Sequence, residues 1–545
     1  MDTLEQRFRS DVQEYVDWML AERPVWATSM GMHGYDNRLD DASPAALEEQ
    51  NRRIGDYQQR FEKGLASSDL DTRIDAELMT SLTKSSRRDY EQIRSPFRAP
   101  QRYIGRALSG CHQLMIRDFA PLGDRLESLA GRMSEVPGLL AQGRKNLERP
   151  PRIWTEVAIG TAKGGVHLFE DEIPALAAAE PSVARRVAEA SARAADAVKD
   201  FLRFLEDDLL PISDGDFACG EEMFNTLLRE VHMMDADAGD IERSGWRLIE
   251  DTEREFDELS ARLGYSGKDR NEVVYEISKH HPKEDEIVSA YAKAMADSRA
   301  FIAERDLATL PEGERLIMKE NPRYSWHLLP FAAYGPPGPF EEDQVGIFWV
   351  TPVDPSLPAK LRKARMRSHP YAKIPIHAVH EGYPGHHLQL VWANKIGSLA
   401  SKVGCISSLH VEGWAFYTEE MMEQQGFLDD PPVKIFRLKE QLWRACRIVI
   451  DVGIQTRGLS LDDAAQLLVD RAGFEKRDAV SEINRYTLAP TQPMSYLIGK
   501  LELMKTAEDY RRRKGPDFEL KTFQDEVLMC GSLPPKLIRQ KLFAS

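Results

Sequence analysis

Four imidazoles and a carboxylate fall within Ile376–His387: His377, His380, Glu381, His386 and His387. Two histidines bracketing a glutamate are the residue types that hold Zn²⁺ while the carboxylate takes a proton from water. The usual spacing puts the two rings at i and i+4 on one helical face, but His380 and His386 are at i and i+6. On an unbroken helix, six steps of roughly 100° would leave them about 120° apart, unable to share an ion. Tyr383-Pro384-Gly385 supplies a remedy. Pro384 lacks an N–H and clashes with the preceding turn, and Gly385 tolerates backbone angles that other residues avoid. The pattern predicts a bulge or short break that returns His380 and His386 to one metal. His387 is expected to point off the ion, and His377 to flank the site without binding it.

A catalytic zinc site takes a third protein ligand and keeps one position for water. Glu412 lies about thirty residues past Glu381, enough chain for a second helix to pack across the first, and is read as that ligand. Glu419, two turns further on the same side, is placed to hydrogen-bond a ligand histidine and fix its tautomer. His410 is either a substrate contact or an alternative ligand. The implied chemistry is attack of metal-activated water on an acyl carbon, with Glu381 as general base. The developing oxyanion calls for a phenol or a cation, for which Tyr496, Tyr486 and Arg485 are available. Arg485 could instead hold a substrate carboxylate through its planar fork. Arg444, Arg447 and Asp451 share a helical stripe and read as an internal ion network rather than a substrate clamp.

The elements that must position these groups are mostly helical. Val187, Ala190, Ala194, Val198, Phe201 and Leu205 recur at three and four residues, as do Ile249, Thr252, Phe256, Leu259 and Leu263. Pro150-Pro151, Pro211, the Asp235–Asp240 turn and Pro322 mark expected helix ends. Val345–Val350 is the exception, aromatic and β-branched, and is predicted to be a strand whose edge a peptide substrate could extend. The fold expected is mainly α: a large helical body with a small β-sheet beside the metal helix. Residues 1–545 are read as a single domain, with a helical N-terminal part to about 330 and the metal-site part from about 331.

Three further segments accompany HEGYPGHHLQ (His380–Gln389): EGWAFYTEE (Glu412–Glu420), RACRIVIDVG (Arg444–Gly453) and NRYTLAPTQPMSYLIG (Asn484–Gly499). Together they resemble the DUF885 family of proposed zinc metallopeptidases, itself similar to helical zincins such as the thimet-type oligopeptidases and Taq-type carboxypeptidases. The resemblance favours Tyr496 for the oxyanion and implies a peptidase acting on short, unfolded substrates. Two departures bear on the substrate class: Gln455 stands where relatives usually carry His, and Pro490-Thr491-Gln492 where they usually read Pro-Gly-Gln.

Composition narrows the partners. A net charge of −16 argues against nucleic acid and anionic membrane, which attract basic surfaces. The start, Met1–Arg7, has no basic flank leading into an apolar core, and the odd set Cys111, Cys219, Cys405, Cys446 and Cys530 lacks metal-ligand spacing. A cytoplasmic location is expected. The reading is therefore a Zn²⁺ hydrolase for peptide or amide bonds in short substrates; the alternative is a dedicated amide hydrolase or deacylase acting on one small metabolite.

Overall fold

The computed structural model describes residues 3–321, 332–404 and 407–544. Helix accounts for 72% of it, and the described strands form one three-stranded sheet, so the chain is mainly α. Pro322 and Cys405 lie outside the described residues. The remaining cysteines are free thiols.

Contacts divide the chain into two compact units, residues 1–217 with 338–341, and 218–337 with 342–545. In the first, the Pro181–Arg203 helix packs on the Leu122–Asn146 helix. Its Val187, Ala190, Ala194, Val198 and Phe201 are buried, as the three-and-four spacing requires, and Leu205 just beyond is buried too. Pro150 and Pro151 separate the Leu122–Asn146 and Arg152–His167 helices.

The second unit carries every candidate site residue. The Asp235–Asp240 turn ends in a capping box in which the Asp237 side chain accepts from Asp240 N, and the Ala238–Arg262 helix follows. That helix packs on the long Pro431–Thr456 helix, burying Ile249, Thr252 and Phe256 and leaving Leu259 and Leu263 at its margin. Strands β1 (Arg315–Glu320), β2 (Ala332–Gly335) and β3 (Val345–Val350) lie in the order β1-β3-β2. β1 runs parallel to β3 with Arg315 opposite Val345, and β2 runs antiparallel with Ala332 opposite Val350.

Val345–Val350 is thus a strand, but a central one: β1 pairs along its whole length and β2 along Ile347–Val350, which takes up most of the edge a substrate would extend. Its buried content follows from that central place. Phe348 and Val350 share a core with Tyr291 and Met295 of the Ile287–Glu304 helix and with Ile374 and Ala378 of the metal-motif helix. The sheet therefore does lie beside that helix.

Candidate metal centre

The helix Ile374–Glu381 stops after the catalytic-type glutamate, and a new helix, His386–Ile396, starts at the second histidine. The break spans Gly382–Gly385, with a cis Tyr383–Pro384 peptide. A Cβ at Gly385 would overlap the carbonyl oxygens of Val379 and His380, so only glycine lets the chain fold back this tightly. Trp414 Nε1 donates to Pro384 O at 2.8 Å, and Ser298 Oγ donates to Tyr383 O, pinning the break from two sides. The outcome is the one the spacing demanded: the His380 and His386 rings stand 4.8 Å apart at 87°.

Glu412 comes from the Ser408–Gln424 helix. One ligating atom each from His380, His386 and Glu412 lie within 4.8 Å of one another, with His386 Nε2 3.4 Å from Glu412 Oε2. Burial alone would raise the Glu412 carboxyl, but His386, His380 and the neighbouring Tyr496 hydroxyl hold it down at about 2. Burial would lower His386, and Glu412 reverses that to a raised value. His386 Nδ1 is buried without a hydrogen-bond partner among the described residues. Glu419 Oε1 lies 2.7 Å from His380 Nδ1, which leaves Nε2 of that ring for an ion. Two imidazoles and a carboxylate with an oriented histidine are a donor set that fits Zn²⁺. Glu381, half-buried, has no hydrogen bond or ion pair to any described residue, although its charge is felt by both His386 and Tyr291.

Tyr496 reaches the site through two glycines. The Ser408–Gln424 and Ser495–Lys514 helices cross where Gly413 meets Gly499, and a Cβ on Gly413 would stand 2.6 Å from Gly499 Cα. Glu412 precedes one glycine and Tyr496 lies a turn before the other, so the crossing sets phenol beside carboxylate. The preceding loop is fastened by Asp451, which accepts from Thr491 N and Met494 N at 3.3 Å each. Thr491 has φ +68°, the left-handed region that glycine adopts freely, and its Oγ1 lies 2.9 Å from His232 Nε2. Side-chain bonds from Asp451 and His232 thus hold a turn whose φ at Thr491 a glycine would adopt freely.

Other expected roles do not survive the geometry. Tyr486 is fully buried and donates its proton to Glu482 Oε2 (2.7 Å) while accepting from Arg447 Nε (2.8 Å) and Trp443 Nε1 (3.1 Å), so it cannot serve an oxyanion. Arg485 is exposed and bonded to Glu482 at 2.8 Å. His410 is completely buried, 6.2 Å ring to ring from Trp414, with burial pushing it down to about 4, and it stands outside the His380, His386 and Glu412 group. Gln455 spends its amide on backbone, accepting from Cys219 N (3.0 Å) and donating to Tyr486 O (3.4 Å). Arg444, Arg447 and Asp451 do not form one network: Arg444 pairs with Glu440, Arg447 with Glu482, and Asp451 with the Thr491 loop.

His387 lies outside the ligand set, and His377 packs near Tyr291, 6.3 Å ring to ring, without joining it. The sequence reading missed the partner of His387. Glu314, buried just before β1, lies 2.9 Å from His387 Nε2 and accepts from Tyr383 Oη (2.5 Å) and Arg299 Nε (3.0 Å). Tyr334 Oη of β2 lies 3.1 Å from the other nitrogen of that ring. This buttress holds the sheet to the break, and nothing in its local sequence marks it.

A mainly helical body with a two-histidine, one-glutamate constellation at a helix break defines the class. The family described as "Bacterial protein of unknown function (DUF885)" matches residues 24–542, and the chain belongs to it. A "putative lipoprotein of unknown function" from Shewanella oneidensis is similar at 25% identity and TM-score 0.81, covering 99% of each chain. A "putative lipoprotein" from Colwellia psychrerythraea shares the fold at 18% identity and TM-score 0.84, again covering 99% of each. No curated protein matches.

Proposed function

We propose that this protein is a zinc-dependent hydrolase that cleaves peptide or amide bonds in short substrates. The observation that carries the reading is the convergence of His380, His386 and Glu412 beside Glu381, whose carboxylate has no hydrogen bond or ion pair to a described residue. Zinc, when bound, supplies Lewis acidity and makes water acidic enough to attack near neutral pH. Glu381 takes the proton from the attacking water and returns it to the leaving nitrogen. Tyr496 donates a hydrogen bond to the oxygen on which negative charge develops. Glu419 keeps the His380 ring in one tautomer and orientation throughout.

Elemental analysis of purified protein, with a Glu381→Gln variant assayed on a pool of short peptides, tests the reading. The expected result is one zinc per chain in both forms, with cleavage reduced about 10²- to 10⁴-fold in the variant. Absence of stoichiometric metal after zinc is added back overturns it. Because Gln455 is engaged by backbone, it gives no support to the narrower alternative of a dedicated metabolite hydrolase. Location remains the cytoplasmic expectation from sequence. Both solved relatives are described as putative lipoproteins, so fractionation of cells is the direct check.

A further inference from the structure

Two arginines one turn apart on the Pro431–Thr456 helix carry guanidinium groups that the protein satisfies only in part. Arg447 is 3% exposed, yet its Nη1 has no hydrogen-bond partner among the described residues. Its Nε donates to Tyr486 Oη at 2.8 Å and its Nη2 to Glu482 at 3.2 Å. Arg444 Nη1 donates to the Glu440 carbonyl at 3.3 Å and to the Glu440 carboxylate, while its buried Nε has no partner among the described residues. Burying a charged donor without an acceptor costs free energy that a native core normally avoids. An acceptor that arrives with a ligand would complete both groups.

Charge points to the same ligand. Lys373, Lys439 and Arg444 bear on one carboxylate, Glu440, and Arg447 and Arg485 on another, Glu482. Glu482 is already shared by Arg447, Arg485 and Tyr486, and Glu440 by Arg444 and, at 3.9 Å, Lys373. Lys439 has no ion pair within 4 Å to a described residue. The local excess is cationic in a chain whose overall charge is −16.

Position completes the argument. Trp443 fixes both guanidinium planes, with Arg447 Cζ 4.2 Å and Arg444 Cζ 4.5 Å from its ring centre. The same two groups lie 4.5 Å and 5.9 Å from the centre of the Tyr496 ring, whose hydroxyl neighbours Glu412. The Tyr496 ring therefore neighbours both guanidinium groups and, through its hydroxyl, Glu412.

We propose that Arg447 and Arg444 bind a free carboxylate of the substrate, so that the hydrolase acts on the residue at a carboxyl terminus: short peptides or N-acyl amino acids with an unblocked end. This rests on the hydrolase reading. A planar guanidinium suits a carboxylate better than an ammonium would, and both guanidinium groups lie beside the Tyr496 ring.

The test uses the full chain carrying Glu381→Gln, zinc-loaded and zinc-stripped, titrated calorimetrically with one set of N-acetylated tripeptides made as free acids and as carboxamides. The free acids should bind at least tenfold more tightly in both metal states, and Arg444→Gln or Arg447→Gln should abolish the preference while zinc content is unchanged. Equal binding of acid and amide by the unmutated arginines overturns the proposal. So does a preference that survives both substitutions, or one present only with zinc, which would assign the carboxylate to the metal. Failure of the hydrolase reading shows separately, as absent zinc or undiminished cleavage by Glu381→Gln.

Discussion

Gly413 and Gly499 touch at the crossing of the two helices that carry Glu412 and Tyr496, and a Cβ on Gly499 would stand 3.0 Å from Gly413 Cα and overlap the Leu409 carbonyl oxygen. No side-chain rotation relieves an overlap with backbone. Gly499→Ala should therefore push the helices apart, lowering stability by about 1–3 kcal/mol and moving Tyr496 off Glu412. Denaturant unfolding reads the first effect and turnover the second. A variant as stable and active as the parent would remove the crossing from the account of the site.

Glu419 contacts the ligand set only through His380 Nδ1, at 2.7 Å. Glu419→Gln keeps shape and volume but loses the charge that favours a proton on Nδ1. Zinc affinity, measured by competition with a chelator, should fall about 10- to 100-fold with the fold intact. Unaltered affinity would mean that packing around the buried ring already fixes its orientation.

What the sequence revealed of this centre was local. The i, i+6 interval with Pro384-Gly385 inside it encodes the break, because the two residues that deform a helix stand between the two that need it deformed. Apolar spacing foretold the Pro181–Arg203 and Ala238–Arg262 helices, and β-branched content foretold β3. Properties set by distant pairing were not legible. β3 is central because β1 and β2 flank it, and neither neighbour is announced by the Val345–Val350 segment. Tyr486 and Tyr496 look alike in sequence, yet the first is consumed by Glu482, Arg447 and Trp443. Glu314 reaches His387 from about seventy residues earlier, across a separation that no motif spans.

His232 links the site loop to pH. Its ring lies 3.0 Å from Ser407 Oγ and 2.9 Å from Thr491 Oγ1, and burial pushes it down to about 4 from an ordinary 6.5. The folded chain refuses a proton there that the unfolded chain accepts between those values. Stability from this group is complete above pH 6.5 and is lost as pH falls towards 4. Urea midpoints measured across that window should decline, and more shallowly in His232→Gln, by one proton's worth of slope. Identical slopes in the two proteins would show that the ring titrates normally in the fold.

The two tyrosines separate catalysis from architecture. Tyr486→Phe removes the proton given to Glu482 and the acceptor used by Arg447 and Trp443, leaving buried polar groups unpaired. Its cost should appear as about 1–3 kcal/mol of stability. Tyr496→Phe loses only a 3.4 Å contact from Gln492 and the hydroxyl beside Glu412, so the fold and zinc content should hold. Under the proposed mechanism its cost falls on the transition state, as a drop in kcat of about 10²- to 10³-fold with KM little changed. Steady-state kinetics and thermal unfolding of both variants decide the matter. A Tyr496→Phe protein of full turnover would remove Tyr496 from the account of how the developing oxyanion is stabilised.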